Sequence, residues 1–139
     1  MNKIMRVFYL LTNNMPSKYI IPVKLYRNTE SLLRERCKDG WECFEEIVAH
    51  YDHYFATHRY INTKYYCRNP KKHGSAFDII ALATYPISLS KDKLMKKSHR
   101  KIAYIILHEW GHFAKGDDEI KADKFAIEHI RRLIKEGVF

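Results

Sequence analysis

An α+β domain is what this 139-residue sequence predicts. The first two thirds hold short segments rich in Ile, Val, Tyr and Phe, the composition of strands. The final third carries two uninterrupted amphipathic stripes of helical period, separated by a glycine and two aspartates. No repeat, low-complexity tract or Pro/Gly/Ser linker divides the chain, so one domain over residues 1–139 is expected. Its architecture should be a small mixed or antiparallel sheet with an edge strand, packed on the two C-terminal helices.

Taken in order, residues 4–11 and 19–26 read as strands, with Asn13-Asn14-Met15-Pro16-Ser17 as the turn between them. Asn28 or Thr29 can cap a short helix that ends near Gly40. Trp41, Phe44, Val48, Tyr51 and Phe55 then recur at helical spacing. Residues 60–67 and 76–89 read as strands around the loop 68–74. The second of them alternates Phe77, Ile79, Ala81, Ala83, Tyr85, Ile87 and Leu89 on one face. Pro86 has no N–H to give a ladder, so this strand is placed at an edge, where an extended peptide can pair with it.

A helix from about Ser98 to Lys115 should follow, with Gly116 as its C-cap. Ile102, Ile105, Ile106 and Phe113 form its apolar side. A second helix begins at Asp117 or Asp118 and runs to about Glu136, with Ala126, Ile127, Ile130, Leu133 and Ile134 facing inward.

Composition limits what such a domain can be. A hydrophobic content of 46% with 14% aromatics excludes wholesale disorder. Apolar runs such as Val7–Leu11 and Ile79–Ala83 fall far short of the roughly 20 residues that cross a bilayer. Lys3 and Arg6 ahead of Val7–Leu11 look superficially like a signal peptide, but the apolar part is short and no small-residue cleavage site follows. A cytoplasmic protein without a membrane partner is expected. Cys37, Cys43 and Cys67 are too few for a disulfide framework, and their spacing does not fit a structural zinc knuckle with His73.

The chain holds 25 basic and 16 acidic residues, a net charge of +9. Lys91, Lys93, Lys96, Lys97, Arg100 and Lys101 cluster with only Asp92 to oppose them. Such a field attracts nucleic acid or acidic proteins, and serves equally as a solvated face.

The chemistry is concentrated in His108-Glu109-Trp110-Gly111-His112, an H-E-x-x-H sequence inside the first of these helices. Residues four apart share a helical face, so both imidazoles can address one zinc ion, with Glu109 beside them as general base toward a bound water. A catalytic zinc takes a third protein ligand. A histidine six residues on, with a glycine midway, does not supply it, because Lys115 and Asp118 stand at those positions. On the next helix the inward stripe, extended backwards, reaches Asp123 and then Glu119. Two carboxylates at the end of an apolar stripe need a cation. The chain reverses within two or three residues after Gly116, which returns Glu119 to the level of His112 as the third ligand. Asp123, one turn deeper, can hold a ligating histidine by its other nitrogen. Asp118 and Asp123 are the neighbouring alternatives as ligands.

Glu46, His50 and His53 also share a helical face, but they lie off the apolar stripe and read as solvated. His73, His99 and His129 are isolated. His99, Tyr104 and Tyr85 are candidates for an oxyanion donor, with nothing to choose among them.

His108-Glu109-x-x-His112 followed by Glu119-Ile120-Lys121-Ala122-Asp123-Lys124-Phe125-Ala126 resembles the gluzincin metallopeptidase pattern over about residues 98–130. It is most similar to the small ImmA/IrrE-type repressor-cleaving proteases and the minimal gluzincins. That resemblance implies a zinc-dependent endopeptidase. His108, His112 and Glu119 would bind the metal, Glu109 would activate water, and an antiparallel edge strand would align a protein or peptide substrate. The alternative expectation is a regulatory or nucleic-acid-associated binding module on the same fold, without hydrolysis.

Overall fold

The computed structural model describes residues 2–38 and 80–139. Its elements are α1 (Lys3–Asn14), a 3₁₀ turn (Ser17–Tyr19), β1 (Val23–Tyr26), α2 (Thr29–Lys38), β2 (Ala81–Leu82), β3 (Ile87–Ser90), α3 (Lys91–Leu94), α4 (His99–Lys115) and α5 (Glu119–Lys135). The chain falls into two compact units, residues 1–25 with 81–139 and residues 26–80. The fold is α+β, with a three-stranded sheet in the order β1-β3-β2.

The first segment is a helix and not the strand its composition predicts. Asn2 caps it by accepting from the Met5 N–H at 2.9 Å. Ile4, Val7 and Leu11 are fully buried at helical spacing, and α1 packs against α4. Phe8 meets the Trp110 ring edge-on at 6.3 Å. Burial of one helical face outweighs the β preference of Ile, Val, Phe and Tyr, which amounts to at most about 1 kcal/mol per residue. Residues 19–26 contain a strand only at Val23–Tyr26.

The long strand expected over 76–89 is two strands across residues 81–90. The Thr84 hydroxyl donates to the Pro86 carbonyl at 2.7 Å and lies 2.6 Å from the Ser88 hydroxyl. These bonds turn the chain back, so that Ala81 pairs with Leu89 and Leu82 with Ser88 in antiparallel register. β3 is therefore the central strand and is buried along its whole length. Among the described residues, β2 is an outer strand, and it lies against α4.

α2 starts where Asn28 accepts from the Ser31 N–H at 2.8 Å. The expected helix over 41–55, the strand over 60–67 and residues 76–79 lie outside the described residues.

The C-terminal pair forms as its caps require. The Ser98 side chain accepts from the Lys101 N–H, and Gly116 closes α4 with its N–H donating to the His112 carbonyl at 2.9 Å. Asp118 caps α5 by accepting from the Ile120 and Lys121 N–H groups. Ile102, Ala103, Ile106, Leu107 and Trp110 of α4 and Ala122, Phe125, Ala126 and Leu133 of α5 are buried. Phe113 and Ile127, expected to face inward, are 47% and 37% exposed. Phe113 lies in the last turn of α4, and Ile127 is placed round the outer side of α5 next to the buried Ala126.

Candidate metal centre

The site is built on the contact between α4 and α5, and Gly111 sets how close that contact is. A Cβ at this position would meet the Ala122 carbonyl oxygen at 3.0 Å, the Ala122 Cα at 3.1 Å and Phe125 Cδ1 at 3.1 Å. A side chain there would force its neighbours to give by a few tenths of an ångström, and the close approach brings the first turns of α5 alongside the last turns of α4. Trp110 anchors the opposite side, fully buried, with its indole N–H donating to the Ile21 carbonyl at 3.1 Å.

His108, His112 and Glu119 converge in the resulting groove. Their ligand atoms all lie within 4.8 Å of one another, and each residue is half-buried. His108 Nε2 is 2.8 Å from Glu119 Oε2, His112 Nε2 is 3.2 Å from Glu119 Oε1, and the two Nε2 atoms are 3.1 Å apart. The two Nε2 atoms and the two Glu119 oxygens thus stand close enough together for one metal ion to be held among them.

The outer nitrogens explain why. His108 Nδ1 lies 2.8 Å from Asp123 Oδ1, and His112 Nδ1 lies 3.0 Å from the Gly116 carbonyl oxygen. Both partners are acceptors, and an imidazole that donates to them from Nδ1 leaves its Nε2 free to ligate a metal. In neutral imidazoles each Nε2 then presents a lone pair. Two lone pairs and a carboxylate point at one another, an arrangement that a single shared proton satisfies along one edge and a cation satisfies along all three.

This geometry separates the alternative ligands. Asp118 spends its carboxylate on the α5 N-terminus and is exposed. Asp123 stands behind His108, on the nitrogen facing away from the cluster. Tyr104, one turn before His108 on α4, donates its hydroxyl proton to the same Asp123 Oδ1. Burial first, and that bond second, push the Tyr104 hydroxyl up to about 12. The i, i+4, i+8 spacing of Tyr104, His108 and His112 is the sequence signal that would have found it.

Glu109 is half-buried beside the cluster. Burial pushes its carboxyl up to about 7; His108 and His112 pull it down, and Glu119 pushes it up. Of the other candidates, His99 is exposed at the start of α4 and Tyr85 is 72% exposed. His129 packs against Tyr19 and Phe125. Glu46, His50, His53, His73, Cys43 and Cys67 lie outside the described residues. No helix among the described residues is long and apolar enough to cross a membrane.

No protein-family model matches the chain, and neither does any curated protein or solved structure.

Proposed function

We propose that the chain is a zinc-dependent endopeptidase of gluzincin type, with His108, His112 and Glu119 as metal ligands and Glu109 as general base. The observation that carries this reading is the convergence of two Nε2 atoms and the Glu119 carboxylate, both imidazoles having an acceptor against their Nδ1 atoms. His108, His112 and Glu119 would supply three ligands, the number that catalytic zinc takes from the protein, whereas structural zinc is usually closed by a fourth side chain. The order of the residues, H-E-x-x-H followed by the ligating glutamate on the next helix, supports the same class.

A zinc ion held by His108, His112 and Glu119 would supply Lewis acidity for activating a water molecule and polarising a scissile carbonyl. Glu109, beside the cluster, would accept the proton of the attacking water and return it to the amine nitrogen as the peptide bond breaks. A carboxyl pushed up to about 7 by burial is suited to both halves of that transfer near neutral pH, and the charge of a bound metal lowers it toward the basic form. Asp123 and the Gly116 carbonyl hold the two imidazoles in the ligating tautomer throughout.

The substrate is a protein or peptide bound extended. β2, an outer strand among the described residues and placed beside α4, supports its alignment by strand addition. The surplus of positive charge favours an acidic or nucleic-acid-associated target. Cleavage of labelled protein libraries, with Glu109→Gln beside the wild type, tests the proposal. Hydrolysis by the wild type that the variant loses is expected, and full activity in the variant would contradict it.

A second reading has one observation in its favour. Lys91, Lys96, Arg100 and Lys101 are exposed around α3 and the start of α4, where the Lys3 ammonium also reaches the Lys97 carbonyl. A non-hydrolytic nucleic-acid-associated module would use this face. Its signature is binding that falls steeply with salt and persists in Glu109→Gln, with no protein cleaved.

A further inference from the structure

We propose that Tyr104 is a positioning residue of the metal centre, because its hydroxyl and His108 Nδ1 donate to one and the same oxygen, Asp123 Oδ1. The inference rests on the metal-site reading and adds a third layer to it: the tyrosine holds the carboxylate that holds the ligand.

Asp123 needs such a restraint. Its side chain is 48% exposed, so water competes for the carboxylate and its two side-chain torsions are not fixed by packing. His108 by contrast is 17% exposed, and Asp123 holds its Nδ1 while Glu119 and His112 stand against its Nε2. Asp123 reaches His108 from the neighbouring helix, whereas Tyr104 lies on the same helix as His108, one turn away. The hydroxyl therefore ties the carboxylate of α5 to the frame of α4, and the orientation of the His108 ring follows from two donors sharing one acceptor.

The Tyr104 ring is itself held from its other face. Lys101 Nζ stands 5.0 Å over the ring centroid, a cation–π contact from the preceding turn. Lys101, Tyr104 and His108 thus run along one side of α4 into the metal cluster. This placement also removes Tyr104 from the candidate oxyanion donors. Its one proton is committed to Asp123.

The test is a double-mutant cycle on zinc affinity, read by competition with a chromophoric chelator, for the wild type, Tyr104→Phe, Asp123→Asn and the pair. Removing an outer hydrogen-bond partner of a metal-bound histidine costs about 10–100-fold in affinity, and a group acting through that partner should cost less, about 3–10-fold. Tyr104→Phe keeps the ring and its contact with Lys101, so its metal-free melting temperature should stay close to that of the wild type. In the Asp123→Asn background it should have little further effect, because the carboxylate it serves is gone. The cobalt(II) absorption spectrum should shift in both single variants.

Unchanged zinc affinity in Tyr104→Phe, or losses that multiply fully in the pair, would overturn the proposal while leaving the metal site intact. So would a drop in metal-free melting temperature with no change in affinity, which would make Tyr104 a packing residue. A wild-type chain that takes up neither zinc nor cobalt would overturn the metal reading itself, and the role of Tyr104 with it.

Discussion

Gly111 and Ala122 touch backbone to side-chain position: a methyl group on Gly111 would come within 3.0 Å of the Ala122 carbonyl oxygen. The fourth residue of the H-E-x-x-H segment is thus the point at which α4 and α5, the two helices that carry the candidate ligands, meet. Gly111→Ala should gain up to about 1 kcal/mol in helix propensity and lose about 1–3 kcal/mol to overpacking against backbone that cannot swing aside. A net loss near 1 kcal/mol in urea denaturation is expected, together with weaker zinc binding as α5 and its two carboxylates are pushed outward. A stabilised variant with unchanged affinity would contradict this account.

Gly116 serves the second histidine. Its φ of 96° and ψ of −165° lie in a region that glycine alone occupies comfortably, and this conformation accompanies the carbonyl's contact with His112 Nδ1. A Cβ there would meet nothing within 4 Å, so Gly116→Ala isolates the backbone effect. The expected result is a loss of about 1–3 kcal/mol in stability and a drop in zinc affinity, both measurable on one purified variant.

Glu109 should impose a pH dependence on the metal-free protein. Its folded value of about 7 lies above the ordinary 4.5, so the fold prefers the protonated form. Its contribution to stability is present below pH 4.5 and is lost as the pH rises through 7. Chemical denaturation of the metal-free wild type against Glu109→Gln should therefore show the wild type losing ground across that window. Under the proposed mechanism the same variant keeps its zinc and loses about 10²–10⁴-fold in hydrolysis.

His129 acts with the opposite sign. It is packed between Tyr19 and Phe125, its Nδ1 is buried with no hydrogen-bond partner among the described residues, and burial foremost lowers its pKa, helped by Arg132. Neutral His129 is favoured in the fold, so its contribution is present above about pH 6.5 and is lost as the pH falls. His129→Phe preserves the ring contacts and removes the orphaned nitrogen. It should gain about 1 kcal/mol and flatten the acid limb of the stability curve, as measured by melting temperature against pH.

Much of the candidate metal centre was legible because it depends on local rules. The i, i+4 histidines, the Ser98 and Asp118 caps, the Gly116 stop and the short reversal determine where Glu119 returns, and each is a statement about neighbouring residues. What was not legible depends on partners distant in sequence. α1 has the composition of a strand, and only its burial against α4 makes Ile4, Val7 and Leu11 a helical face. The break between β2 and β3 comes from the Thr84 hydroxyl, whose bonds to Pro86 and Ser88 no alternation of apolar residues reveals. Tyr104 had its signal in the spacing to His108, but its role depends on a carboxylate from the next helix. Gly111 was readable in principle, since a glycine within a helical stripe often marks a close approach.

Zinc content of the untagged protein, measured by elemental mass spectrometry beside His112→Ala and Glu119→Ala, tests the central claim most directly. One zinc per wild-type chain, lost or strongly weakened in both variants, is the predicted result. A wild-type chain that folds and binds no metal would contradict the account, as would zinc retained at full affinity when Glu119 is removed.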